Sequence, residues 1–147
     1  MLVISAQAVA KIVEEAQRAY PHEGCGMLVG RRDGADYVVT EAPTGANENT
    51  DRPKVWYDLS PADQLRVSKE AQKRGLDVIG YYHSHPDHPA APSEGDRSRA
   101  FGSFVYVIAS VEKAKYKVMT AWTLDDETAF PEHTAKFTRV DIKEGRA

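Results

Sequence analysis

Residues 76–96 read LDVIGYYHSHPDHPAAPSEGD. Apolar and aromatic side chains run from Leu76 into the histidines and predict a strand. Along a strand, side chains at i and i+2 leave the same face. His83 and His85 therefore point the same way, roughly 6–7 Å apart along the backbone, with Ser84 turned to the other face. Two imidazoles at that spacing can converge on one cation. Zinc accepts nitrogen and oxygen donors, and its catalytic sites keep one position for water, so the pair needs a third ligand. Pro86, Pro89 and Pro92 stiffen the loop that follows and lower the entropy lost in closing it. That loop returns Asp96, a carboxylate expected at the start of a short helix. His88 is the competing ligand, but it sits between prolines and is expected to be exposed. The same residues have a reading without metal. A histidine pair can simply be hydrogen-bonded at a strand end, and Ser93 with Asp96 matches a helix capping box. On local pattern alone the two readings stay open.

Further out, Ser60-Pro61 opens a helix, with Asp63 as a capping partner and Gly75 closing it. Val9, Ile12, Val13, Ala16 and Tyr20 follow helical spacing after a Ser5 cap, and Pro21 ends that helix. GCGMLVGRRDGADYVVT predicts two strands around a turn at Asp33-Gly34. EAPTGANENTDRP is a long polar loop, and its part from Ala42 to Pro53 is expected to act as a substrate-binding flap. Trp56 and Tyr57 are expected to begin a short strand and to line a groove or the core. SFVYVIAS and KYKVMTAWTL read as further strands, and the tail from Thr134 to Ile142 as a last one. Helices interspersed with strands imply an α/β or α+β layered domain.

The bulk numbers narrow the function classes. At 147 residues the chain fits one domain, 1–147, with a substantial core. With 41% hydrophobic and 28% charged residues, disorder is excluded, and a net charge of -3 offers no basic footprint for nucleic acid. No apolar run reaches bilayer-spanning length and no secretory leader is visible, so a cytoplasmic protein is expected. One cysteine, Cys25, excludes an internal disulfide and a multi-cysteine zinc site. Cys25 reads as a small buried residue. The oligomeric state is left open, a homo-oligomer included.

Water on a metal benefits from a carboxylate that takes its proton. No HExxH motif supplies one: His22-Glu23 is followed by Gly-Cys-Gly. The deaminase arrangement fails for lack of cysteines. Glu23 is the leading candidate, since it stands at the mouth of the strand GCGMLVG, where glycines allow close backbone approach.

Taken together these residues resemble the JAMM (MPN-plus) metallopeptidases. That family's pattern is a distant glutamate, then His-x-His, seven residues, Ser, two residues and Asp. Here it reads Glu23, His83-Ser84-His85, PDHPAAP, Ser93, Glu94-Gly95 and Asp96. The flanks HEGCGMLVG and VIGYYHSHP also look like the family. The resemblance implies a curved mixed sheet between helices, similar to the cytidine-deaminase core. It implies zinc (Zn2+) on His83, His85 and Asp96, Glu23 as general base, and Ser93 as hydrogen-bond donor to the oxyanion. It also implies cleavage of an amide or isopeptide bond after the Gly-Gly C-terminus of a ubiquitin-like protein. The short chain looks closer to the compact prokaryotic branch, whose partners include sulfur-carrier proteins. The rivals are a non-catalytic MPN scaffold, against which the intact residue set argues, and a zinc hydrolase of small amides with no protein carrier.

Overall fold

The computed structural model describes residues 1–52 and 57–145. Strand β1 (Leu2–Ile4) leads into α1 (Ala6–Ala19), and the Ser5 side chain accepts from the Ala8 amide at 3.1 Å to cap that helix. A hairpin follows, β2 (Cys25–Asp33) and β3 (Asp36–Glu41), then the two-residue strand β4 (Thr44–Gly45). Helix α2 (Pro61–Lys73) comes next and then β5 (Asp77–Pro86), the strand that carries the histidines. The short α3 (Glu94–Arg99), β6 (Val105–Glu112), β7 (Lys115–Leu124), β8 (Phe137–Val140) and β9 (Ile142–Glu144) complete the chain.

All the strands join one mixed sheet, ordered β8-β7-β6-β5-β2-β3-β1-β9, with β4 also on β2. β5 runs antiparallel to β2 and parallel to β6. Val140 of β8 pairs with Ala121, whereas Ile142 of β9 pairs with Leu2. These strands stand at opposite ends of the order, yet only Asp141 separates them. Consecutive Cα atoms are about 3.8 Å apart, so the sheet must curl until its two edges meet at the tail. The Leu2 amide donates to the Asp141 carbonyl at 2.8 Å across that seam.

The period-two alternation sorts side chains between two helices. Leu28 and Tyr82 pack with Ile12, Ala16 and Val107 on the α1 side, while Met27, Val29 and Tyr81 pack with Val67 and Ala71 of α2. Each such fully buried aliphatic side chain contributes about 1.5–3 kcal/mol. His83 and His85 share the parity of Tyr81 and so face the α2 side. At Gly80 a Cβ would lie 2.1 Å from the Val105 carbonyl oxygen. β5 and β6 can lie this close only because residue 80 has no side chain.

Several expectations shift in detail. The hairpin turn is Gly34-Ala35, one residue later than expected, because Asp33 still pairs with Asp36. Asp63 does not close a capping box on α2. Ser60 accepts from the Asp63 amide at 3.2 Å, but the Asp63 carboxylate accepts from the Ala46 amide at 2.9 Å and ties the polar loop to the helix. That loop is partly ordered by the sheet: Thr44-Gly45 pair with Gly26 and Cys25, and Asn47 bridges to Leu59. The expected strand at Trp56-Tyr57 falls in part outside the described residues, and Tyr57 itself is in no strand. The tail supplies two short strands rather than one, since its backbone serves both sheet edges.

Candidate active site

The β2–β5 register pairs Cys25 with His83. Continued two residues beyond the ladder, it sets Glu23 beside His85 and on the same face. The sixty positions between Gly24 and Ser84 are thus erased by one antiparallel pairing. His83 and His85 are each 2% exposed and Glu23 3%, and burial at this level is expensive for groups of this kind without partners.

The histidine Nε2 atoms approach to 3.1 Å, and Asp96 Oδ2 lies 3.3 Å from His83 Nε2 and 3.2 Å from His85 Nε2. In a tetrahedron with zinc–ligand bonds of about 2.0–2.1 Å, neighbouring donor atoms lie about 3.3–3.4 Å apart. The triangle therefore has the spacing of one face of such a site. Glu23 also has a carboxylate oxygen within 4.8 Å of both histidine donors. Its Oε1 is buried with no hydrogen-bond partner. Nitrogen and carboxylate donors with an unpartnered acid beside them fit a divalent cation with solvent on its open side.

His85 and Asp96 are held by hydrogen bonds to the backbone, whereas His83 Nδ1 is buried without a hydrogen-bond partner. His85 Nδ1 lies 2.8 Å from the Pro89 carbonyl, so Nδ1 carries the hydrogen and Nε2 keeps its lone pair for the site. Asp96 Oδ2 accepts from the Ser93 amide at 2.9 Å, and Ser93 Oγ accepts from the Asp96 amide at 3.0 Å. The capping box at the start of α3 is thus real, and it aims Asp96 at the histidines. Ser93 Oγ still has its own O–H to donate. Tyr57 stacks on His83 with ring centroids 4.6 Å apart, and the Arg99 guanidinium carbon lies 5.5 Å from the Tyr57 ring centroid.

The electrostatics follow from this burial. Desolvation, with help from the Asp96 charge and against a weaker pull from Arg99, pushes the Glu23 carboxyl up to about 8. Desolvation holds His83 below the ordinary histidine value, which favours the neutral imidazole a metal needs. Burial also works against the Asp96 charge, but its two imidazole neighbours, His83 first, and the Ser93 amide outweigh it and keep that carboxyl well below its usual range.

His88 is exposed, donates through Nδ1 to the Pro86 carbonyl at 2.9 Å, and stacks on His85 with ring centroids 4.1 Å apart. It covers the site rather than joining the triangle. Cys25 is fully buried, its thiol donates to the Gly45 carbonyl, and burial pushes it up to about 12. No activated nucleophile exists there. A cleft of about 360 Å³ opens beside Asp96, walled by Tyr57, Tyr81, Phe101 and Tyr106 with Glu48 and Arg99 at its polar positions.

Sequence reading named Glu23, His83, His85, Ser93 and Asp96, and the fold brings these side chains together. It passed over Arg99 and Asn47, and it gave Ser84 no task. Arg99 had a detectable signal, standing three residues after Asp96 on one short helix. Asn47 and Ser84 had none, since their partners lie far off in the chain.

The chain and its fold are similar to known proteins. Residues 5–125 match the Prok-JAB model, described as prokaryotic homologs of the JAB domain. The desampylase of Haloferax volcanii is 37% identical over 109 residues, covering 72% of this chain and 73% of that protein. The CysO-cysteine peptidase of Mycobacterium bovis is 33% identical over 96 residues, 65% of this chain and 63% of its own length. The solution structure of protein DSY2949 from Desulfitobacterium hafniense superposes with a TM-score of 0.78 at 29% identity, covering 99% of this chain and 94% of that one. With a family model matched across most of its length, and relatives that are peptidases by name, the chain belongs to the prokaryotic JAB-domain, or JAMM, family.

Proposed function

We propose that this protein is a zinc-dependent peptidase that hydrolyses the amide or isopeptide bond after the Gly-Gly C-terminus of a ubiquitin-like protein, a sulfur carrier or small modifier. The observation that carries the proposal is the triangle of His83 Nε2, His85 Nε2 and Asp96 Oδ2, with edges of 3.1–3.3 Å, beside the unpartnered Glu23 carboxyl. Relatives named CysO-cysteine peptidase and probable TtuB-protein conjugate cleaving protease support the substrate class.

His83, His85 and Asp96 would hold the zinc. When bound, the ion would supply Lewis-acid polarisation of the scissile carbonyl and a nucleophilic water at neutral pH. Glu23 takes the proton from the attacking water on its free carboxylate oxygen and returns it to the leaving amine. Ser93 donates its hydroxyl hydrogen to the oxygen that gains charge as the carbonyl carbon becomes tetrahedral. The aromatic cleft beside Asp96 receives the carrier's tail as an extended strand, and glycines pass where larger side chains would meet Tyr57 and Tyr106. No helix among the described residues is long and apolar enough to cross a membrane, in keeping with action on cytoplasmic carriers.

The direct test is incubation of the zinc-loaded protein with ubiquitin-like carriers bearing a residue or peptide after Gly-Gly, read by intact mass. Loss of the adduct, leaving the carrier ending at glycine, is expected. Carriers that stay whole while small amides are cut would replace this reading by a small-amide hydrolase.

A further inference from the structure

Glu23 lies outside every strand, two residues before β2 begins. A free carboxylate on such a segment would wander by more than an ångström, and proton transfer tolerates little of that. The segment is nevertheless gripped at three points. Ser84 Oγ accepts from the Gly24 amide at 2.7 Å, and the Ser84 amide donates to the Gly24 carbonyl at 2.9 Å. Ser84 is 2% exposed and sits between the two histidines in sequence. On the other side, Asn47 Nδ2 donates to the Glu23 carbonyl at 3.1 Å. Asn47 Oδ1 accepts from the Asp58 and Asn49 amides at 3.0 Å each, so the same side chain also ties down the loop that carries Tyr57. Helix α1 closes the third side: a Cβ on Gly24 would stand 3.1 Å from the Ala19 Cβ and 3.1 Å from the Glu15 carbonyl oxygen.

We infer that Ser84 is a positioning residue for Glu23, a latch that carries the β2–β5 pairing past the end of its ladder and fixes the glutamate against the histidines, with Asn47 as its counterpart on the loop side. In a regular antiparallel pair two residues exchange both backbone bonds. Here the Ser84 hydroxyl takes the Gly24 amide that a backbone carbonyl would otherwise accept. One residue therefore ties the two parts of the site: its neighbours on either side are the histidines, and its hydroxyl holds the residue next to the glutamate. Replacing it by alanine leaves both imidazoles in place but strands the buried Gly24 amide, and the Glu23 segment relaxes.

The inference rests on Glu23 being the proton carrier of the proposed hydrolysis. Its test compares Ser84→Ala, Ser84→Thr and Asn47→Asp with the parent, each zinc-loaded, on one Gly-Gly carrier conjugate. Zinc per chain is read by elemental analysis, and kcat and KM separately. Asn47→Asp keeps the acceptor oxygen that orders the loop, but replaces the donor to the Glu23 carbonyl by an oxygen and adds a negative charge, so its effect is read both in the parent and in the Glu23→Gln background. Ser84→Ala should keep its zinc and hold KM within about two-fold while kcat falls about 10- to 100-fold, and Ser84→Thr should recover most of the loss. In a Glu23→Gln background Ser84→Ala should change the residual rate less than about two-fold, because residues acting through one group are not additive. Unchanged kcat in Ser84→Ala, loss of zinc, or an equal penalty with and without Glu23 would each overturn the latch. Should Ser84→Ala fail to fold, Asn47→Asp decides: its kcat must fall in the parent and hold in the Glu23→Gln background. A parent protein that cleaves no conjugate would end the functional reading along with the latch, whereas a cleaving parent with indifferent variants would end the latch alone.

Discussion

Glu23 owes its chemistry to where it is buried. Its carboxyl is raised from 4.5 to about 8, by desolvation first and by Asp96 second. In protein stripped of metal by a chelator, the folded state therefore keeps a proton that the unfolded chain has already lost. A folded value above the unfolded one contributes stability that is complete at low pH and vanishes as pH rises through about 8. Chelated protein should lose on the order of a few kcal/mol from this group between about pH 5 and 9. Glu23→Gln, neutral throughout, should show a flatter profile in urea unfolding at the two ends of that range. Equal slopes for the two proteins would contradict the burial of that carboxyl. In the zinc-loaded protein, Glu23→Gln should retain metal and lose hydrolysis by about 10²–10⁴-fold, the usual worth of a positioned acid–base group. His85→Ala, which removes both an Nε2 donor and the contact to Pro89, should instead lose zinc. Elemental analysis separates the two variants.

Strand β5 shows what can be read at the level of an element and what cannot. The side-chain period of two placed His83 and His85 on one face before any coordinates were needed, and the proline-bounded loop returned Asp96. The capping pattern at Ser93 and the metal pattern at Asp96 are both present, because one carboxylate oxygen accepts from the Ser93 amide while it faces both histidines. Those two readings were never exclusive. The neighbour of β5 was not legible in the same way. That Glu23 meets His85 depends on the antiparallel register with β2, and a slip of one residue would turn it to the α1 face. Its place at the mouth of GCGMLVG made Glu23 the leading candidate and the family pattern agreed, but neither reports the register. Gly80 also carries no visible signal, since a glycine within a strand pattern reads as a defect until β6 is seen against it. Gly80→Ala should cost about 1–3 kcal/mol or more from overpacking against Val105. The measurement is a thermal or urea midpoint, and an unchanged midpoint would mean that β5 and β6 can part without penalty.

Across the whole molecule, the layered class followed from the order of elements, but the closure of the sheet did not. Two short runs, Phe137–Val140 and Ile142–Glu144, look like one weak strand in the sequence. They are two because each completes a different edge, and no local pattern reports which edge a strand will find. Phe137 packs on the cluster around Tyr106 and Leu124, and Val140 and Ile142 pack on the main core. Removing the chain from Phe137 onward should uncover β7 and β1 together. Unpaired edges recruit other chains, so the shortened protein should melt several degrees lower and aggregate, visible by light scattering during a thermal ramp. A monomeric product with the parent midpoint would show the seam to be dispensable.

The single cysteine opens a practical route to watching the loop over the cleft. Sealed under the sheet and hydrogen-bonded to Gly45, it will ignore maleimide under native conditions. A second cysteine placed at exposed Thr50 would then take a fluorophore alone, with no need to delete the native residue. Its emission would report, in real time, whether that segment settles when a carrier tail arrives.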